Sequence, residues 1–130
     1  MERWAIMGWF WVNPHPGYGV VNLIFTRAFC GDIELEPDGV FRGTTVDCYG
    51  QAVVRGKIYP KSLEFDKEYF GSAKDSAAKG KINFLLEAAV VPTDSVGLIR
   101  ICAGWKGIYR VNDEKRSRTG EAACMMYPLH

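Results

Sequence analysis

Five side chains carry most of the chemistry this sequence offers: Asp47, Tyr49, Lys67, Tyr69 and Trp105. An acid and a base brought together can lock a fold as a buried ion pair. They can also anchor the carboxylate or carbonyl of a ligand, or act on a substrate through a lysine of lowered pKa. All three readings require Asp47 and Lys67 to face the same enclosed space. Outside a pair or a hydrated site, an inward lysine is costly.

The elements that place them lie between Gly39 and Phe70, GVFRGTTVDCYGQAVVRGKIYPKSLEFDKEYF. The preceding stretch Gly31 to Glu36 alternates, with Ile33 and Leu35 inward. Pro37-Asp38-Gly39 then makes a three-residue hairpin loop, with Gly39 suited to the left-handed position. That loop sets Leu35 opposite Phe41 and Ile33 opposite Gly43, so the inward set continues as Phe41, Gly43, Thr45 and Asp47. A turn around Cys48-Tyr49-Gly50-Gln51 delivers Ala52, Val54, Gly56 and Ile58 to the same face. Pro60-Lys61 closes the next hairpin and sets Ile58 on Leu63, Gly56 on Phe65, Val54 on Lys67 and Ala52 on Tyr69. Arg42, Arg55, Lys57, Glu64, Asp66 and Glu68 fall on the opposite face. One register satisfies all of these hairpins, and it puts Asp47 and Lys67 inward, two strands apart. Tyr69, Tyr49 and Trp105 are the residues able to line the same end, and Tyr49, in a turn, also suits an exposed rim.

The rest of the chain continues the pattern. Trp4 to Val12 reads as a first strand, and Asn13 to Gly19 as a loop broken by two prolines and two glycines. His15 lies in that loop without a partner. Val20 to Phe29 reads as a second strand ending at Cys30-Gly31. The small, polar stretch after Phe70 reads as a loop with one helical turn at Asp75 to Lys79. Lys81 to Val91 is a long strand stopped by Pro92, and Val96 to Gly107 follows. A last hairpin centred near Asp113, in the charged tip NDEKRSR, returns as Gly120 to Tyr127 and sets Cys102 opposite Cys124. Eight or nine sequential strands without a long helix define an all-β chain, an antiparallel meander closed into a small barrel over residues 1–130. Closure removes exposed sheet edges, and small residues opposite aromatic ones fill a curved interior.

Composition excludes several classes. With 130 residues, 48% hydrophobic and 24% charged, the chain has the size and balance of one soluble domain. Sixteen basic against fifteen acidic side chains leave a net charge of +1, which points away from nucleic acid. The four cysteines form no CxxC and no Cys/His pair, so no metal site is expected. The opening apolar run is too short to span a bilayer and carries no cleavage site, so a cytoplasmic protein with reduced thiols and no membrane partner is expected. No serine–histidine constellation or glycine-rich phosphate loop occurs, so no catalytic residue and no cofactor are assigned. Trp9, Phe10 and Trp11 cannot all point inward along one strand. An outward Trp there suggests a homo-oligomer or partner interface.

The series Phe41-x-Gly43-x-x-x-Asp47-x-x-Gly50-x-Ala52-x-Val54-x-Gly56, then Leu63-x-Phe65-x-Lys67-x-Tyr69 and Ile101-x-Ala103-x-Trp105, resembles the meander of calycin-type barrels, the avidin-like and lipocalin-like up-and-down barrels. It covers about a third of the chain. The Gly-x-Trp of lipocalins is absent, since Gly8 and Trp9 are adjacent, and no biotin-contacting set can be aligned. The resemblance implies a barrel with a ligand-holding interior. The leading functional expectation is a non-enzymatic barrel that binds a small apolar or amphipathic molecule inside. The alternatives are a self-association or protein-interaction module with a packed core, and a small barrel isomerase or cyclase.

Overall fold

Alternation of inward apolar and outward polar residues drives the chain into strands, and the tight turns between them fix the order in which they pair. The computed structural model of the protein describes residues 1–11, 26–71, 81–92, 101–112 and 117–129. Among these residues there are eight strands: β1 (Glu2–Trp11), β2 (Thr26–Leu35), β3 (Val40–Asp47), β4 (Gly50–Ile58), β5 (Ser62–Tyr69), β6 (Ile82–Pro92), β7 (Ile101–Asn112) and β8 (Ser117–Pro128). Each is antiparallel to the next, and β8 pairs with β1, closing the barrel. The expected loop at 13–19 with His15, the stretch 20–25, the helical turn at 75–79, residues 93–100 and the hairpin tip at 113–116 lie outside the described residues.

The registers expected for the central hairpins hold. Leu35 pairs with Phe41 and Ile33 with Gly43. Ile58 pairs with Leu63, Gly56 with Phe65, Val54 with Lys67 and Ala52 with Tyr69. Gly39 adopts the left-handed conformation, with φ 93°, that its loop requires.

Two expectations are corrected. Cys30-Gly31 does not end a strand: β2 runs through it, pairing with Met7 and Ile6 on one side and with Val46 and Thr45 on the other. Phe29, Gly31, Ile33 and Leu35 share the inward face, so the alternation never breaks, and glycine serves here as a small inward residue rather than as a stop. The last hairpin is shifted as well. Trp105, not Cys102, stands opposite Cys124, and Cys102 pairs with Val91 on β6. The shift is three residues. An odd shift exchanges faces, and only the observed register turns Tyr109, Val111, Ala122 and Cys124 together into the core. Cys124 is a buried free thiol whose pKa burial raises.

The interior is filled by pairing small with large. Gly8 opposes Phe29, Gly56 opposes Phe65, Gly107 opposes Leu86 and Gly120 opposes Tyr109. The approach is close: a Cβ at Gly56 would overlap the Glu64 carbonyl oxygen and the Phe65 Cβ, and one at Gly43 would overlap the Asp32 carbonyl oxygen. The rings admitted this way form a continuous column. Phe65 and Phe84 stack at 4.4 Å and 5°, with Phe41 at 6.1 Å beyond Phe65 and Phe29 and Tyr109 at 6.2 and 5.9 Å from Phe84. Phe10 faces inward and joins the column through Phe29 and Tyr109, while Trp9 beside it faces outward and is half-buried.

Replacing Gly56 by valine is expected to cost about 1–3 kcal/mol through overpacking against β5. Thr44→Val, on the exposed outer face of β3, stays within about 0.5 kcal/mol. Urea denaturation midpoints of the two variants check the contrast.

Candidate functional site

The inner wall of β3, β4 and β5 holds the polar side chains enclosed by the barrel among the described residues: Thr45, Asp47 and Lys67. Lys67 is level with Val54 on β4 and therefore with Gly43 on β3. Asp47 lies four residues further along β3, at the turn into β4. The lysine side chain thus reaches from the level of Val54 and Gly43 to the carboxylate at the turn. Leu63 and Phe65 precede Lys67 on the same face of β5, and Tyr69 follows it.

Lys67 Nζ and Asp47 Oδ2 form a salt bridge, with side-chain exposures of 1% and 0%. The Tyr69 hydroxyl donates to the same oxygen at 2.5 Å. The backbone N–H of Tyr49 donates to Asp47 Oδ1 at 2.8 Å. The carboxylate is therefore held by a cation, a phenol and a turn amide, which meets most of its hydrogen-bonding capacity. The ammonium is held differently. Asp47 is its one hydrogen-bond acceptor among the described residues, and three aromatic rings lie close to it. The rings of Phe10, Tyr69 and Phe29 lie with centroids at 4.7, 4.8 and 5.1 Å from Nζ. Cation–π attraction in a desolvated setting is worth about 2 kcal/mol.

Burial dominates the electrostatics. Desolvation moves the Lys67 pKa below its ordinary 10.5, against the opposing attraction and hydrogen bond of Asp47. Burial also raises the Tyr69 pKa, reinforced by its hydrogen bond to Asp47 and by the carboxylate charge, so the phenol stays protonated and acts as a donor.

One polar atom has no such accommodation. Thr45 is 2% exposed, two residues before Asp47 and paired with Ala52, and its Oγ1 has no hydrogen-bond partner among the described residues. Leaving a buried hydroxyl unpaired costs about 1–3 kcal/mol.

The structure thus brings Asp47, Lys67 and Tyr69 together by hydrogen bonds. Tyr49 joins through its N–H and its half-buried ring, which packs edge-on against Tyr69 at 6.2 Å and lies tilted at 31° to Phe10 at 6.4 Å. Trp105 does not join. It packs half-buried against the core opposite Cys124 and Ala88, and among the described residues no hydrogen bond or ring contact links it to the group. Phe10, Phe29 and Thr45 complete the site. Thr45 already stood on the inward face of the expected register. For Phe10 the available signal was strand parity, since Gly8 and Phe10 share a face and only Gly8 leaves space for Phe29.

The fold and site define a closed eight-stranded antiparallel barrel with an internal ion pair at one end. No family model, curated protein or solved structure matches the chain.

Lys67→Met is expected to destabilise the protein by about 3–5 kcal/mol, because it leaves the Asp47 carboxylate buried without its cation. Adding Asp47→Asn should recover most of that loss, which a double-mutant cycle by urea denaturation measures. The pH dependence has a definite sign. Between the lowered Lys67 pKa of the folded state and about 10.5, the unfolded chain binds more protons, so stability rises with pH across that window. Denaturation curves over that window should show the rise in wild type and its absence in Lys67→Met.

Proposed function

We propose that the protein binds a small, neutral amphipathic molecule at the Asp47–Lys67 end of the barrel. The observation that carries this reading is the buried Oγ1 of Thr45, without a partner among the described residues and two residues from Asp47 on the same inward face of β3, together with an ammonium that has one acceptor among those residues and three aromatic rings around it. Buried polar groups are normally satisfied by protein, water or ligand. A carbonyl or hydroxyl oxygen on a bound molecule would accept from Lys67 and pair with Thr45. The charges of Asp47 and Lys67 cancel, so a charged head group would enter without a counter-ion, and a neutral one suits the site. Phe10, Phe29 and Tyr49 offer the apolar surface for the body of such a molecule. The middle of the barrel is taken by the aromatic column, which favours a short ligand held near the end. The up-and-down topology also resembles the calycin-type barrels, which hold ligands in their interiors.

Cinnamyl alcohol is a suitable probe, with a flat apolar body and one hydroxyl. Saturable one-to-one binding, followed by tyrosine and tryptophan fluorescence and calorimetry, is the expected result. Thr45→Val should weaken binding about tenfold, the loss of one hydrogen bond at about 1.4 kcal/mol, while raising the stability of the free protein by about 1 kcal/mol. Equal binding by wild type and Thr45→Val, or no binding by either, would count against the reading.

A second reading rests on the outer wall. Met7, Cys30 and Val46 form one outward cross-strand row on β1, β2 and β3, with Met7 and Val46 exposed by 37% and 47%. Such an uncharged row suits self-association. Sedimentation of wild type and Val46→Lys tests it. A dimer converted to monomer is expected, and a wild-type monomer across the micromolar range would exclude it.

A further inference from the structure

We propose that Lys67 forms a reversible imine with a small apolar aldehyde, with Asp47 as proton carrier and counter-ion. This inference rests on the binding reading above and names the reactive class of ligand for the same site. Four features favour it. The lysine nitrogen is enclosed, so water has limited access to hydrolyse an imine. Its one hydrogen-bond acceptor among the described residues is a carboxylate, fixed from its other sides by Tyr69 and the Tyr49 amide. Three aromatic rings have their centroids 4.7 to 5.1 Å from it, a surface that attracts a cationic imine as it attracts an ammonium. Thr45 Oγ1, on the same inward face as Asp47 and without a partner among the described residues, can hold the aldehyde oxygen during addition. Burial, which lowers the lysine pKa, also makes the nucleophilic neutral amine easier to reach.

The step balances without any oxidant or reductant. Asp47 takes one proton from the ammonium, and the freed lone pair adds to the aldehyde carbon, forming the C–N bond. The carbonyl oxygen, now an alkoxide, receives that proton and becomes the carbinolamine hydroxyl. Asp47 then takes a second proton from nitrogen and delivers it to the hydroxyl as the C–O bond breaks and water leaves. The product is a protonated imine with one N–H, facing the Asp47 carboxylate. Two of the three ammonium protons end in the released water. Tyr69 acts as a positioning residue, holding the carboxylate toward nitrogen.

The experiment treats the full chain with trans-cinnamaldehyde and sodium cyanoborohydride, which reduces an imine to a stable amine, and maps the adduct by peptide mass spectrometry. The expected result is a higher final extent of modification at Lys67 than at the exposed Lys61, Lys81 and Lys106. Without reductant, a red-shifted absorption from the protonated imine is expected, and it should move or vanish in Asp47→Asn. Mapping is done on the wild-type protein, so the test stands even where Lys67→Met folds poorly. Lys67 left unmodified while the surface lysines react overturns the inference. Cinnamyl alcohol separates the two readings. If the alcohol binds and Lys67 stays unmodified, the imine falls and the binding reading survives; if neither occurs, both fall.

Discussion

An ammonium and a carboxylate sit together inside this barrel because each offsets the desolvation cost of the other, and the wall around them is built to let them meet. Removing two ions from water costs several kcal/mol apiece, and the pair recovers that only in good geometry with its remaining hydrogen-bonding capacity filled. Asp47 meets the condition through Tyr69 and the turn amide of Tyr49. Lys67 meets it through three aromatic faces. The turn between β3 and β4, Tyr69 beyond Lys67 on β5 and the inward Phe10 on β1 all serve that arrangement.

The same geometry ties the site to the fold. Lys67 reaches Asp47 only if β3, β4 and β5 keep one register, since a slip by one residue would turn either group to solvent. The glycine–aromatic oppositions hold that register mechanically, because a residue larger than glycine at Gly43 or Gly56 would meet neighbouring backbone. The ion pair adds a penalty for misalignment that an all-apolar wall would lack. Specificity of register and a chemically distinct site come from the same two side chains.

Much of this was legible in the chain. The central hairpins were readable because turn residues and period-2 alternation agree from Ile33 to Tyr69, so the inward faces and the Asp47–Lys67 meeting follow by counting. The continuity of β2 was not, because a glycine between apolar runs signals a stop as readily as a small inward residue. The register of β7 and β8 was missed because the charged tip between them has no glycine or proline to mark its centre, and three residues of uncertainty suffice to exchange faces. The partners of Lys67 on β1 and β2 come from strands far away in sequence. No local pattern pairs Phe10 and Phe29 with position 67; barrel closure does.

The site turns on the state of one nitrogen. Selective isotope labelling of lysine, with NMR observation of the Lys67 side-chain nitrogen and its neighbouring carbon through a pH titration, addresses it directly. A slowly exchanging ammonium with a midpoint below 10.5 and a scalar coupling to the Asp47 carboxylate is the expected result. An ammonium in fast exchange with water, titrating at the ordinary lysine value, would contradict the account.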